Sequence, residues 1–372
     1  MNLAVIRREC SFDIGGAEAY CANICNRFSR LGHKVTLVAD RAEIDSACLL
    51  RAMVMGRGSI MKNLSFFVNS RRILKVGGFD LTYGLSRVAP VDVLRISDPL
   101  HAAWLDLGYP WTGRLRRFMP RHKMLLWMER MAIEEARAII VNSNMVKAQI
   151  EHYYDMALDK VHVVYNGVDT SLFAPMLPDE REMVRLSMGL PADITVFLFA
   201  GTDLRRKGLA PLIHGLDSLS SCCDFALLIA GVCSDRAMEA EIRRLGLSKR
   251  VRWLGYTRDM ARLYGISDLF ILPTLYDPFA NAVLEAMACG TPALTTVNNG
   301  ASEVAREVDE WLVIKNSTAD AIHGALRRFV GLSGDMRSFL RGKAVSVAAK
   351  YSWEAHMASL QTVFLTKGVN LA

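Results

Sequence analysis

The sequence predicts an α/β protein made of two doubly wound parallel sheets. Three observations carry this expectation. Short apolar runs alternate with helical patterns in two successive series along the 372 residues. A Gly15-Gly16 turn joins the first apolar run to the first helical pattern, the usual opening of a βα unit. A polar stretch over 175–193, with prolines at 175, 178 and 191, then separates the two series.

The elements follow in order. "NLAVIRR" holds a short apolar run, fit for a buried strand. The helical pattern after Gly15-Gly16 stops at Gly32, and "HKVTLVAD" reads as the next strand. "FDLTYGLS", "VDVLRISD", "ARAIIVNS" and "VHVVYNGVD" extend the first series. In the second, "ITVFLFAG", "DFALLIAG", "VRWLG", "DLFILPT" and "PALTT" are strands separated by helical patterns. Further helical patterns near 318–331 and 352–366 finish the chain. The expected domains are 1–174, 175–350 and a terminal helix in 351–372 that crosses back to the first domain. In open α/β sheets ligands sit beyond the carboxyl ends of the strands, so two such sheets facing one another predict a cleft.

Composition narrows the function. Hydrophobic residues make up 51% and charged residues 22%, the balance of a globular protein. No run of about 18 uncharged apolar residues reads as a membrane span. The first residues lack the order of a secretory signal, and the eight cysteines form neither a Cys-x-x-Cys pair nor a zinc pattern, so a cytoplasmic location is expected. The net charge of +7 points to an acidic partner: nucleic acid, anionic membrane or a phosphorylated substrate. No nucleic-acid recognition motif is present.

Several residues suit chemistry at strand ends. Gly16, with Gly15, lets backbone approach a phosphate at a helix start. Arg205, Arg206 and Lys207 follow "FLFAG" and suit a diphosphate by bidentate and point-charge contacts; a solvated basic loop is the alternative. Asp277 before Pro278 suits a helix start, and Glu285, eight residues on, would lie about two turns away on the same side. A ribose diol would satisfy Glu285, as would a Lys or Arg partner. Asp98, after "VLRIS", suits a cap of the next helix.

The motifs together resemble the retaining glycosyltransferases of family 4, which have the GT-B fold. They are "GGAE" with "LGHKVTLV", "VNS", "YNGVD", "GTDLRRKG", the long segment "LGYTRDMARLYGISDLFILPTLYDPFANAVLEAMACGTPAL", and "YSWE". Within the family the chain looks most like the lipopolysaccharide core glucosyltransferases. The resemblance implies transfer of a hexose, glucose by first choice, from a nucleotide sugar such as UDP-glucose to a glycan or lipid-linked acceptor. It implies that Gly15 and Gly16 approach the donor diphosphate, that Arg206 and Lys207 neutralise it, and that Arg205 is the alternative to Arg206. Glu285 would hold the ribose, backbone near Tyr256 and Arg258 the base, and Phe279, Ala280 and Asn281 the rest of the donor. Asp277 stands where the family usually has Glu against the donor sugar. Asp98 would lie near the acceptor and anomeric carbon, with His101 second. No metal motif or cofactor is expected, and the protein is expected to act as a monomer. A sugar-nucleotide epimerase and a non-catalytic sugar-nucleotide-binding or scaffold protein are the competing readings.

Residues 101–130 add a basic, aromatic segment. Trp104, Trp111 and Trp127 lie among Arg114, Arg116, Arg117, Lys123 and further basic residues, giving a net charge of +4 in the window. Pro110 and Pro120 break it into short pieces. Such a segment predicts peripheral contact with the inner face of the cytoplasmic membrane, the alternative being a domain-covering helix pair with a solvated basic face.

Overall fold

The computed structural model describes residues 1–11, 16–156, 158–191 and 193–366. The chain divides into two units, one of Met1–Tyr165 with Met357–Ala372, the other of Asn166–His356. The division falls about ten residues before the polar stretch near 175. Asn166 already bonds within the second unit, donating to Asn281 Oδ1 at 2.5 Å, and Val168 bridges to Ser352. The polar stretch itself folds, as an amphipathic helix over Pro178–Ser187.

The first unit holds a seven-stranded sheet. Its strands are β1 (Asn2–Ile6), β2 (Lys34–Ala39), β3 (Cys48–Arg51), β4 (Leu81–Gly84), β5 (Val93–Ile96), β6 (Ala138–Val141) and β7 (Val161–Val163), in spatial order 3-2-1-4-5-6-7 and all parallel. Its helices are α1 (Gly16–Arg30), α2 (Ser59–Val76), α3 (His101–Gly108), α4 (Gly113–Arg116), α5 (Pro120–Glu135) and α6 (Asn144–Tyr154). Leu3 to Ile6 and Ala138 to Val141 are buried throughout, as expected of strands covered on both faces.

The second unit repeats the plan with six parallel strands in the order 3-2-1-4-5-6: β8 (Thr195–Ala200), β9 (Phe225–Ala230), β10 (Val251–Gly255), β11 (Leu269–Leu272), β12 (Ala293–Thr296) and β13 (Val313–Ile314). After α7 (Pro178–Ser187), its helices are α8 (Leu204–Lys207), α9 (Leu209–Leu219), α10 (Arg236–Arg244), α11 (Met260–Ile266), α12 (Asn281–Ala288), α13 (Ser302–Val308), α14 (Ala319–Val330) and α15 (Gly334–Ala348). Asp203, Asp235 and Asp259 cap α8, α10 and α11 by accepting from backbone N–H groups three residues on. Arg181, Arg185 and Arg341 close the carboxyl end of α11 by donating to the carbonyls of Gly265, Ile266 and Ser267. Asp268 balances two of these guanidiniums at 2.6 and 2.7 Å.

The last helix, α16 (Trp353–Leu365), starts in the second unit and ends in the core of the first. There Phe364 packs edge-on to Tyr83 at 5.6 Å and against Phe28 at 6.3 Å. Among the described residues no helix is long and apolar enough to cross a membrane.

Candidate active site

Both sheets reverse their strand order beside the first strand of the unit. In the second unit this point lies between β8 and β11, where a ligand crevice is expected. β8 runs into Gly201, and α8 follows as a single turn. Two backbone conditions place the end of α8. A Cβ on Gly201 would meet Lys207 Cγ at 3.0 Å. Gly208 takes a φ of +82°, and a Cβ there would lie 2.1 Å from the carbonyl of Pro273, so only glycine fits. The carbonyl of Arg206 accepts from Leu275 N and Thr274 Oγ1, both at 2.8 Å, which stitches α8 to the loop after β11.

This loop carries Asp277. Its Oδ2 accepts from Arg206 Nη1 at 2.8 Å and from Lys207 Nζ at 2.7 Å, while Oδ1 accepts from Phe279 N at 3.1 Å. Burial pushes the Asp277 carboxyl up, but Lys207 and Arg206 outweigh it and hold the group below the usual carboxylate range. Arg206, Lys207 and Asp277 are thus brought together in one cluster. Arg205, on the same turn, is exposed.

The expected helix start at Asp277-Pro278 is corrected. Helix α12 begins at Asn281 and has no side-chain cap at Ala280. The carboxylate is committed to Arg206 and Lys207 instead, and Asp277 backbone bridges Asn299. Asn299, fully buried, organises the entry: its Oδ1 accepts from Ala280 N and Ala301 N, each at 3.1 Å. The two-turn spacing of Asp277 and Glu285 is therefore not helical, although Lys207 acts electrostatically on both.

Glu285 sits in α12 among apolar residues. Its Oε2 accepts from Tyr264 Oη at 3.1 Å, so its partner is neither a Lys nor an Arg. Burial pushes its carboxyl up to about 6, with the Tyr264 bond and Lys207 offsetting only part. Phe279 and Ala280 are buried, and Asn281 opens α12 bonded to Asn166. Tyr256 and Arg258, after β10, are exposed.

The first unit has its own constellation, at the carboxyl ends of β1, β4 and β5. Arg7, buried, donates to Leu85 O at 2.7 Å, to Glu18 at 2.8 Å and to Asp98 at 3.2 Å. Burial lowers the Arg7 pKa, but Asp98 and Glu18 raise it further, to a net value above the usual arginine range. The residues border a cavity of about 220 Å³ that also meets Arg8, Asn63, Phe66 and Arg87. Asp98 bonds Arg7, and the residue before α3, Leu100, carries no side-chain cap. Helix α3 is closed by Glu129 of α5, whose carboxylate accepts from His101 N at 2.8 Å and Ala102 N at 3.2 Å. The same carboxylate takes Arg87 Nε at 2.9 Å and Tyr154 Oη. His101 is buried and its ring pairs with His122, Nε2 to Nδ1 at 2.9 Å. Burial, Arg87 and His122 depress its pKa to about 3, so the ring stands as a neutral packed group. Gly16 begins α1. Gly15 lies outside the described residues.

The basic, aromatic segment folds as α3, α4 and α5. Trp111 is 94% exposed, with Leu115, Phe118 and Met119 exposed beside it. Arg114 and Lys123 are exposed too, and Arg116 lies over the Tyr109 ring at 4.1 Å. Arg117 is spent on Asp106 at 2.9 Å, Trp104 is half-buried against Tyr109, and Trp127 packs on Phe67. Among the described residues, no group of three His, Cys, Asp or Glu side chains is placed to hold a metal ion.

A family model described as "Glycosyltransferase Family 4" matches residues 14–172, and one described as "Glycosyl transferases group 1" matches residues 181–341. This chain belongs to the family 4 glycosyltransferases. Among similar glycosyltransferases, the lipopolysaccharide glucosyltransferase WaaG of Escherichia coli K12 is 22% identical over 293 residues, covering 77% of this chain and 78% of that one. An uncharacterized glycosyltransferase of Methanocaldococcus jannaschii, MJ1607, is 28% identical over 61% of this chain and 59% of its own length. The match thus spans about three fifths of that relative. A crystal structure of WaaG aligns with a TM-score of 0.85 at 20% identity, covering 99% of this chain and 100% of that one. Anabaena HepE in complex with UDP-glucose aligns at 0.73 and 17% identity, covering 99% of each chain. The fold of this family 4 glycosyltransferase is therefore GT-B.

Sequence reasoning missed part of this glycosyltransferase's polar framework. Arg7, Glu18, Arg87, Glu129, Tyr264 and Asn299 were not singled out. A basic or acidic residue at a strand end is a hint, but its partner 91 residues away, as for Arg7 and Asp98, is set by strand order alone. Asn299 had the clearer mark, because "NNG" after a strand is strong turn chemistry.

Proposed function

We propose that the protein is a retaining hexosyltransferase that moves a hexose, glucose by first choice, from a nucleoside diphosphate sugar such as UDP-glucose to a glycan or lipid-linked acceptor. The observation that carries this reading is the placement of Arg206 and Lys207, held on one buried carboxylate at the switch point of the second sheet. Breaking the bond between anomeric carbon and diphosphate puts negative charge on the leaving group. A guanidinium and an ammonium already fixed beside it stabilise that charge without reorganising, and can do so without a metal. Glu285 supplies a carboxylate for the ribose diol, and Asp277 meets the donor sugar. Asp98, in the first unit, serves the acceptor and the reacting carbon. Two relatives support the donor class: HepE was solved with UDP-glucose, and WaaG is a lipopolysaccharide glucosyltransferase.

The exposed Trp111, Leu115 and Phe118 with Arg114 and Lys123 support action at an anionic membrane surface, where the acceptor would be presented at the cytoplasmic face. A panel of nucleotide sugars, screened by thermal shift and then by release of nucleoside diphosphate, tests the reading. One nucleoside diphosphate sugar should raise the melting temperature in a concentration-dependent way and be turned over. If none is bound or turned over, the proposal fails.

A further inference from the structure

A cavity of about 360 Å³ lies in the second unit, lined by residues of α7 and by Arg341 of α15. It belongs to the other end of β11 from the Arg206–Asp277 cluster. Asp268, which holds two of its guanidiniums, precedes Leu269, whereas Asp277 follows Leu272. Four residues of parallel strand rise about 13 Å, so the two places are distinct.

The charge at this cavity is not balanced. Arg181 and Arg185 share the one carboxylate of Asp268, at 2.6 and 2.7 Å. Arg341 makes no ion pair among the described residues. Its Nη1 donates to Ser267 O at 3.0 Å and its Nη2 to Gly265 O at 3.5 Å. Burial and the neighbouring Arg181 and Arg185 outweigh Asp268 and pull the Arg341 pKa down to about 10, the mark of a cation short of counter-charge. Three guanidiniums against one buried carboxylate leave an excess of two positive charges, which the exposed Glu182 at the rim reduces by one.

Closing the carboxyl end of α11 explains the bonds to Gly265, Ile266 and Ser267. It leaves donors over. The Nη1 groups of Arg181 and Arg185 make no hydrogen bond among the described residues, although Arg185 is only 5% exposed. Two guanidinium edges with free N–H groups suit an anion with several oxygens, and Asp268 need not be displaced to receive it. The rest of the wall is apolar: Met176, Pro178, Leu186 and Leu190. Met176 lies closely on α11, where a Cβ added to Gly265 would meet its Cε at 3.1 Å. The volume is that of a small-molecule site, with a few polar groups set in an apolar lining.

We propose that this cavity is a second anion site, which takes a small phosphate monoester with an apolar body: the phosphate on Arg181, Arg185 and Arg341, the body against Met176 and Leu186. Such a group carries about −1.5 to −2 charges at pH 7, which answers the excess on the wall. The site does not depend on the glycosyltransferase reading, since none of its residues belongs to the donor cluster.

Isothermal titration of the full chain tests this, with phenyl phosphate, phenol and inorganic phosphate as probes. Phenyl phosphate should bind at least fivefold more tightly than inorganic phosphate, and phenol should not bind. Arg341→Gln should weaken phenyl phosphate tenfold or more. Two changes at exposed positions guard against a mere loss of folding: Leu186→Glu should weaken binding fivefold or more and Glu182→Gln should tighten it about twofold, both at an unchanged melting temperature. A phosphate can also meet Arg206 and Lys207, so Lys207→Ala is titrated in parallel and should keep the affinity within twofold. The proposal is overturned if phenyl phosphate does not bind, if inorganic phosphate binds as tightly, or if binding falls in Lys207→Ala and persists in Leu186→Glu.

Discussion

Replacing Glu285 by Gln should make the protein more stable and less able to bind its donor. The Glu285 carboxyl is pushed from the usual 4.5 to about 6 because burial in α12 outweighs the hydrogen bond from Tyr264. The native state therefore holds a proton there more tightly than the unfolded chain does. This contribution to stability is fully present below pH 4.5 and is lost as the pH rises through about 6. At 1.36 kcal/mol per pH unit the ionised form costs about 2 kcal/mol at neutral pH. Gln keeps an acceptor for Tyr264 Oη and removes the charge. For a domain of roughly 150–250 residues, 1 kcal/mol moves the melting temperature by about 2–4 °C. Glu285→Gln should melt several degrees higher than the parent at pH 7.5, and at about the same temperature as the parent at pH 4.5. Its affinity for the nucleotide sugar should fall by an order of magnitude or more, since a carboxylate accepts from both hydroxyls of a diol and an amide does so less well. An unchanged or lower melting temperature at pH 7.5, or a gain that persists at pH 4.5, would refute the reasoning.

Lys207→Ala should cut donor turnover by about a hundredfold or more, the scale seen when one preorganised charge stabiliser is removed, and shift melting by only a few degrees because Arg206 still holds Asp277; steady-state rates with circular dichroism check both. Asp277→Glu should change the order of donor sugars in a turnover panel, since one more methylene moves the carboxylate beyond its bonds to Arg206 and Lys207. The neutral His101 contributes stability that is full above pH 6.5 and lost as the pH falls toward 3, about 2 kcal/mol by pH 5; pH-dependent denaturant titrations should show this slope in the parent and not in His101→Asn. Arg114→Glu with Lys123→Glu should weaken binding to anionic vesicles and reduce its salt dependence, at about 1 kcal/mol per basic residue lost, while Trp111→Ala should weaken it at every salt concentration in a sedimentation assay.

Much of the fold could be read from short-range pattern. Parallel strands buried on both faces are continuous apolar runs, as in "TVFLFA" and "FALLIA", and their loops end in Asp caps or glycines. Strand β3 was missed because all four of its residues are exposed and no alternation marks it. Helix α2 was missed too, since its apolar residues are spread around the axis rather than gathered in a stripe. At the site, Arg206 and Lys207 were legible because they follow a strand directly. The commitment of Asp277 to them was not, because local rules for Asp-Pro favour a helix start and the winning contact comes from 70 residues away. Asp98 and Glu129 show the same limit: the capping carboxylate of α3 comes from α5, 28 residues beyond the helix start.

The route of α16 has a consequence for how the chain comes into being. Domains of a growing chain usually fold in the order of synthesis, the amino-terminal one first. Here the core around Phe28 and Tyr83 is closed by Phe364, made about two hundred residues after the first unit's last strand. The second unit, contiguous from Asn166 to His356, has all its parts while the first still lacks one. The order is thus reversed: the later half can mature on the ribosome, and the earlier half must keep an aromatic gap until Phe364 has been made. A fragment ending near residue 350 would inherit that gap permanently, and would be expected to aggregate rather than yield a simpler enzyme.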